Sequence, residues 1–134
     1  TADEPSCQAA NEVFEEHFVR GAKTLPAVPE CEGISGGDAV YRHMWGAAEF
    51  TATGLLRDYD RTARLGELKL PVLFLAGRHD EAVPETVADF QRRVPGAKMV
   101  VFEHSAHSTY RTETDEYVKI VRQFLEEAES KEPM

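Results

Sequence analysis

Positive charge is scarce in this 134-residue chain: 15 lysines and arginines stand against 24 aspartates and glutamates, for a formal net charge of −9 at pH 7. That balance excludes the basic surface that nucleic acid or an anionic membrane requires. It reads first as a solvated exterior, and it also suits a substrate carrying positive charge. Long apolar runs are absent as well. No stretch approaches the ~20 residues of a membrane-spanning helix, so no membrane partner is expected. Cysteine is limited to Cys7 and Cys31, with no metal-type spacing and no recognisable secretory signal. A disulfide between them is one alternative; free thiols in a reducing, cytoplasmic setting are the expectation. The chain opens on Thr1 rather than methionine, which suggests processing, trimming or origin in something longer. What is present is enough apolar content, 42%, for one domain with a real core.

Three stretches differ in character. Over residues 6–20, Ala9, Ala10, Val13, Phe14, His17 and Phe18 recur at helical spacing, with Glu12, Glu15 and Glu16 near the edge of that face; an amphipathic helix is expected. Gly21 to Asp38 holds Pro26, Pro29, Gly33, Gly36 and Gly37 and reads as loop or turns. Residues 39–64 look like short helical pieces broken at Gly46 and Gly54. From Leu65 the pattern changes. Pro71 to Ala76 is a continuous apolar run ended by Gly77, the mark of a strand buried on both faces. A helix over 85–94, ended by Pro95-Gly96, leads to a second strand over 98–103. Tyr117, Ile120, Val121, Phe124, Leu125 and Ala128 then form one face of a helix from about Thr112 to Glu129. Strand, helix, strand, helix is a parallel βαβ unit with a covering helix, an α/β arrangement. Two parallel strands alone leave an unpaired edge beside an apolar run, so the half-sheet predicts a missing half.

The chemistry-bearing residues gather where the two strands end. The first runs into Gly77-Arg78-His79-Asp80-Glu81, and an acid just past a parallel strand sits where open α/β sheets build their sites. Asp is also a common turn residue. The second strand runs into His104-Ser105-Ala106-His107, and histidine is the usual general base near neutral pH. Singly, each has a bland structural reading. Together, a carboxylate and an imidazole delivered from one sheet edge, Asp before His, form the second half of the Ser…Asp…His order of α/β-hydrolases. His79 and His104 are alternative bases. His104 and His107 also have the letters of a metal pair but lack a clear third ligand, so no metal or cofactor is expected. A nucleophile is the missing part. Gly33-Ile34-Ser35-Gly36-Gly37 has the letters of G-x-S-x-G, but that motif requires a buried strand before it. The preceding segment, Pro26 to Glu32, holds two prolines and two acids and cannot be a central strand. Ser35 therefore reads as a chance match, and the true serine is expected upstream of Thr1.

Tyr41 to Phe50, Leu56 to Asp60, Pro71 to Glu81 and Phe102 to His107, in that order and spacing, resemble the C-terminal half of proline iminopeptidases. The likeness runs from about Ser6 to Glu127. It implies the C-terminal part of an α/β-hydrolase fold, with residues 1–64 forming part of a helical cap and residues 65–134 part of the core. It implies a serine aminopeptidase that removes an N-terminal residue, proline above all, from a peptide with a free N-terminus, with Asp80 and His107 as the catalytic acid and base. By the same resemblance, Glu49 and Glu81 hold the substrate's free amino group. Two carboxylates in a partly desolvated pocket would contribute ~1.5–3 kcal/mol each through charge-assisted hydrogen bonds. Trp45 either walls the pocket for the first side chain or serves the core. Ala47 departs from the usual Gly-Pro-x-Glu-Phe cap stretch, and residues 21–38 match poorly. The N-terminal half, with the oxyanion hole and the serine, is the expected partner, and the chain alone is expected to be inactive. The alternatives are an amidase or esterase of the same fold, or a catalytically silent truncated fragment.

Overall fold

The computed structural model describes residues 5–21, 37–47 and 51–130. The elements run α1 (Pro5–Phe14), continued as a π-helical segment (Glu15–Arg20), then α2 (Asp38–Met44), a 3-10 helix (Thr62–Glu67), β1 (Leu73–Gly77), α3 (Pro84–Arg93), β2 (Lys98–Phe102), α4 (Thr109–Thr112) and α5 (Thr114–Glu129). Most of the glycine- and proline-rich stretch, with Cys31 and Ser35, lies outside the described residues, as does Glu49.

β1 and β2 pair in parallel, with Leu73 opposite Lys98 and Gly77 opposite Phe102. The apolar, partly β-branched runs 72–76 and 99–102 suit a pleated surface that packs on helices. Pro71 has no N–H to give a ladder, and regular pairing begins two residues later. α3 makes the crossover between β1 and β2, a connection that is right-handed in nearly all parallel pairs. It starts with Pro84 at its first turn, where a missing N–H costs nothing, and it buries Pro84 and Val87. Val94 leaves the helix in an extended conformation. A turn at Gly96, φ 75°, then feeds buried Ala97 into β2, and the Gln91 side-chain amide donates to the Ala97 carbonyl across that turn. α5 covers the far end through Tyr117, whose ring lies 6.1 Å from that of Phe102.

The structure departs from the sequence-based expectation chiefly in burial. β1 is half-buried along Leu73–Leu75 and buried only at Ala76 and Gly77. Among the described residues its sheet holds two strands, so one edge and part of its faces lack the neighbours that a doubly covered strand needs. The closing helix forms as one piece, Thr114–Glu129; before it stands the short α4, set apart by Glu113, which takes φ −126°, ψ 52° and turns its carboxylate to the loop before α4. The helix over 5–20 forms, but its apolar stripe is not buried: Val13 is 58% and Phe18 44% exposed. Its last turn opens to π geometry. Between residues 39 and 64 the helical pieces are α2 and the start of the 3-10 helix. Gly46, φ 138°, breaks the chain after α2. Residues 53–56 fold back on the α2 end, donating to the carbonyls of Trp45, His43 and Met44. A Cβ at Gly54 would stand 2.5 Å from the Met44 carbonyl, so that return requires glycine.

Candidate active site

The site is built where β1 and β2 stop. Beyond β1 the backbone turns at once: the Asp80 N–H donates to the Gly77 carbonyl at 3.2 Å, and the Arg78 and His79 N–H groups donate to the carbonyls of Phe102 and Ser105. The two strand-end loops thus share a continuous ladder of backbone bonds. Gly77 permits it. A Cβ there would meet the Ala106 oxygen at 2.1 Å and the Ser105 oxygen at 2.4 Å, closer than atoms can approach.

Asp80 is 5% exposed, and its carboxylate is satisfied within the turn. Oδ2 accepts from the Gly77 N–H at 3.2 Å. Oδ1 accepts from the Ala82 N–H at 2.9 Å and from His107 Nδ1 at 2.9 Å. A buried carboxylate holding two backbone donors cannot swing away without leaving them unpaired, so it is a fixed post for the imidazole. An ionised carboxylate only accepts, so with the carboxylate charged and the ring neutral this bond requires the proton on Nδ1, which leaves Nε2 with a lone pair. The His107 side chain is 54% exposed. This arrangement orients an imidazole to take a proton at Nε2 and to be stabilised as a cation when it does. Among the described residues no hydroxyl is hydrogen-bonded to the His107 ring.

The acid's partner is His107 and neither alternative. His79 and His104 are exposed and flank Glu103, whose carboxyl is held below the usual carboxylate range chiefly by its hydrogen bond to Arg78. The Arg78 guanidinium reaches Glu103 through Nε at 2.9 Å and a second nitrogen at 2.5 Å, clasping the roots of the two loops, and its own pKa is raised by that bond.

Other supports were not legible beforehand. Ser105, 1% exposed, bonds through Oγ to Thr112 Oγ1 at 2.6 Å and to Glu113 Oε2 at 2.5 Å. The same Glu113 oxygen accepts the His104 N–H at 3.1 Å. The break before α5 therefore places a carboxylate under the loop that carries His107. Residues 112 and 113 give no sign of this in the apolar periodicity. The Phe18 and Val19 carbonyls also touch the loops, and a backbone acceptor leaves no trace in side-chain pattern.

Of the other candidate residues, Glu81 lies beside the pair: its Oε1 is 4.0 Å from His107 Nδ1. Trp45 is half-buried, and its carbonyl accepts from Thr53 and Gly54. Glu49 is outside the described residues, so its distance from Glu81 is not part of this geometry.

The TAP-like protein family matches residues 44–133. A proline iminopeptidase of Heyndrickxia coagulans is 40% identical over 127 residues, covering 93% of this chain and 44% of that protein. One from Thermoplasma volcanium is 31% identical over 119 residues, 89% of this chain and 40% of that protein. Among solved structures, the crystal structure of VinJ is similar with a TM-score of 0.81 at 30% identity, over 96% of this chain and 44% of that one. The proline iminopeptidase of Mycobacterium smegmatis gives 0.79 at 30% identity, over 95% and 43%. The chain spans less than half the length of these relatives and corresponds to their C-terminal portion. It belongs to the TAP-like protein family and has the architecture of the C-terminal part of an α/β-hydrolase.

Proposed function

We propose that this chain supplies the acid and base of a serine aminopeptidase that releases the N-terminal residue, proline above all, from peptides. The observation that carries the reading is the 2.9 Å bond between His107 Nδ1 and Asp80 Oδ1, made by loops leaving two adjacent parallel strands. In this reading His107 Nε2 takes the proton of a serine hydroxyl as that oxygen attacks the scissile carbonyl. It then returns the proton to the leaving amine, and the cycle repeats with water. Asp80 holds the tautomer and stabilises the imidazolium. The serine comes from an N-terminal half, in the same parent chain or a companion chain, that docks on the open side of the sheet. Residues 1–64 serve as part of a cap and 65–134 as part of the core; the 3-10 helix Thr62–Glu67 runs across that division.

Glu81 and Glu49 receive the substrate ammonium in this reading, and Trp45 lines the pocket for the first side chain. The nearness of Glu81 to the acid–base pair supports its part, because the terminal amine of an exopeptidase substrate lies one residue from the bond that is cut. Two carboxylates waiting for a charge also reject a mid-chain peptide, which brings none. The reaction needs no cofactor, and the setting proposed is the cytoplasm. Among the described residues no helix is long and apolar enough to cross a membrane.

The test is a fusion of this chain to the N-terminal segment of the Heyndrickxia coagulans relative, assayed on a prolyl amide and its N-acetylated form. Faster cleavage of the free amine by about a hundredfold, the loss of two charge-assisted bonds being enough for it, is the expected result. Equal rates would point to an amidase or esterase instead. No turnover by a folded fusion that retains its serine would overturn the catalytic reading.

A further inference from the structure

One carbonyl oxygen accepts from both of the loops that carry the acid–base pair. At the end of the π-helical segment, the Phe18 oxygen accepts the Glu81 N–H at 3.2 Å and the His107 N–H at 3.1 Å, and the next carbonyl, Val19, accepts the Ser108 N–H at 3.0 Å. Helices leave their last carbonyls without internal partners, and a carbonyl oxygen has two lone pairs. Here these spare acceptors are spent on the two loops that carry Asp80 and His107. The close approach is completed by Gly21, φ 77°, which ends the segment. Even a Cβ built there would touch Ala106 at 3.6 Å.

We infer that the Phe18 carbonyl is a positioning group, fixing the separation of the Asp80 and His107 loops so that the imidazole meets the carboxylate. This rests on the proposed role of that pair. Glu81 follows Asp80 directly, and the Ala82 N–H after it holds Asp80 Oδ1; anchoring the Glu81 N–H therefore anchors the turn around the carboxylate. Anchoring the His107 N–H fixes the root of the imidazole. Both anchors converge on one atom, so a shift of the segment moves the two loops together or releases both. The segment belongs to the N-terminal helical region, in which Val13 and Phe18 are exposed and no residue is buried. Whatever seats that region also seats the acid–base pair. The π turn contributes by changing the direction of the last carbonyls relative to a regular α-helix, and π turns inside helices are frequent at functional sites.

A backbone acceptor is tested by a backbone change. Cys31 is a natural ligation junction, so a synthetic peptide covering residues 1–30 can be joined to recombinant 31–134. Replacing Val19 by its α-hydroxy analogue turns the 18–19 amide into an ester and weakens the Phe18 oxygen as an acceptor, with every side chain intact. Replacing Phe18 by its α-hydroxy analogue weakens the His17 oxygen instead and serves as the control for chain assembly and for helix bonds lost in either ester. Amide exchange at Glu81 and His107 should accelerate together, by about three- to tenfold, in the first ester and not in the control. The nitrogen NMR shifts of the His107 ring should show the Nδ1–H tautomer less populated in the first ester only. Unchanged exchange at either amide would overturn the shared acceptor. Faster exchange at both with an unchanged tautomer would show a structural bond with no positioning role. The unmodified chain is the reference: if its His107 ring already lacks the Nδ1–H tautomer, the fault lies with the acid–base reading and not with Phe18.

Discussion

The two ends of this chain differ in how they are held. Among the described residues, burial falls almost entirely between Ala76 and Thr109; before that stretch only Gly46 is buried. The N-terminal region instead exposes Val13, Phe18, Val40, Leu55 and Tyr59. In the strand region each buried polar group of the site is paired: Asp80 by three donors, Ser105 by Thr112 and Glu113, and no buried side-chain polar atom among the described residues lacks a partner. The contrast teaches that the acid–base pair is built by local packing, and that the part proposed to recognise substrate depends on surfaces it does not itself supply. The Phe18 carbonyl is where the second region takes hold of the first.

The comparison breaks most sharply at the carboxylate. In an active fusion, Asp80→Asn keeps the shape of the turn but favours the wrong histidine tautomer, and kcat should fall by about 10⁴-fold; a fall under tenfold would remove Asp80 from the mechanism. Next comes packing. Phe102 is 2% exposed, and Phe102→Ala should cost about 4 kcal/mol in urea unfolding, against under about 0.5 kcal/mol for Val13→Ser. Similar costs at the two positions would mean that the N-terminal stripe is buried after all. Gly77→Ala should cost about 3 kcal/mol, as its methyl group forces the 105–106 backbone away, and the His107 ring should lose its Nδ1–H signal with it.

The smallest effect is acid sensitivity on the outer face. The Glu103 carboxyl is held below its ordinary pKa of 4.5 by the Arg78 bond. Its stabilising contribution is therefore present above that ordinary value and fades as pH falls through the lowered folded value. Glu103→Gln should leave the pH 5–7 profile parallel to the parent's and flatten the decline below about pH 4.5. Because the pair is exposed, the change should be slight. Divergence starting above pH 6 would assign the effect to another group.

The βαβ order, the strand ends and the Asp-before-His pairing were all readable, because a continuous apolar run and a 3.6-residue stripe each leave a plain mark on composition. The strand ends left His79 and His104 as alternatives to His107, which the family resemblance favoured, and the 2.9 Å bond shows that it is His107 that meets Asp80. What escaped was of two physical kinds. Burial of β1 was overestimated because an apolar run records what a strand is made for, and in this chain the neighbour on one edge is not among the described residues. The supports of the site escaped because they are backbone carbonyls, or polar side chains such as Glu113 whose partners lie across a turn. Neither kind has a period. Gly77 could have been found, since a glycine ending a buried strand before an acid often marks a close backbone approach.

The central claim is most directly tested by recording the ring-nitrogen NMR shifts of His107 in this chain near neutral pH, alongside those of Asp80→Asn. The account predicts a ring held predominantly as the Nδ1–H tautomer, with that preference lost in the variant while the fold remains. A ring that favours Nε2–H, as free imidazole side chains do, and that does not change on removing the Asp80 charge would contradict it.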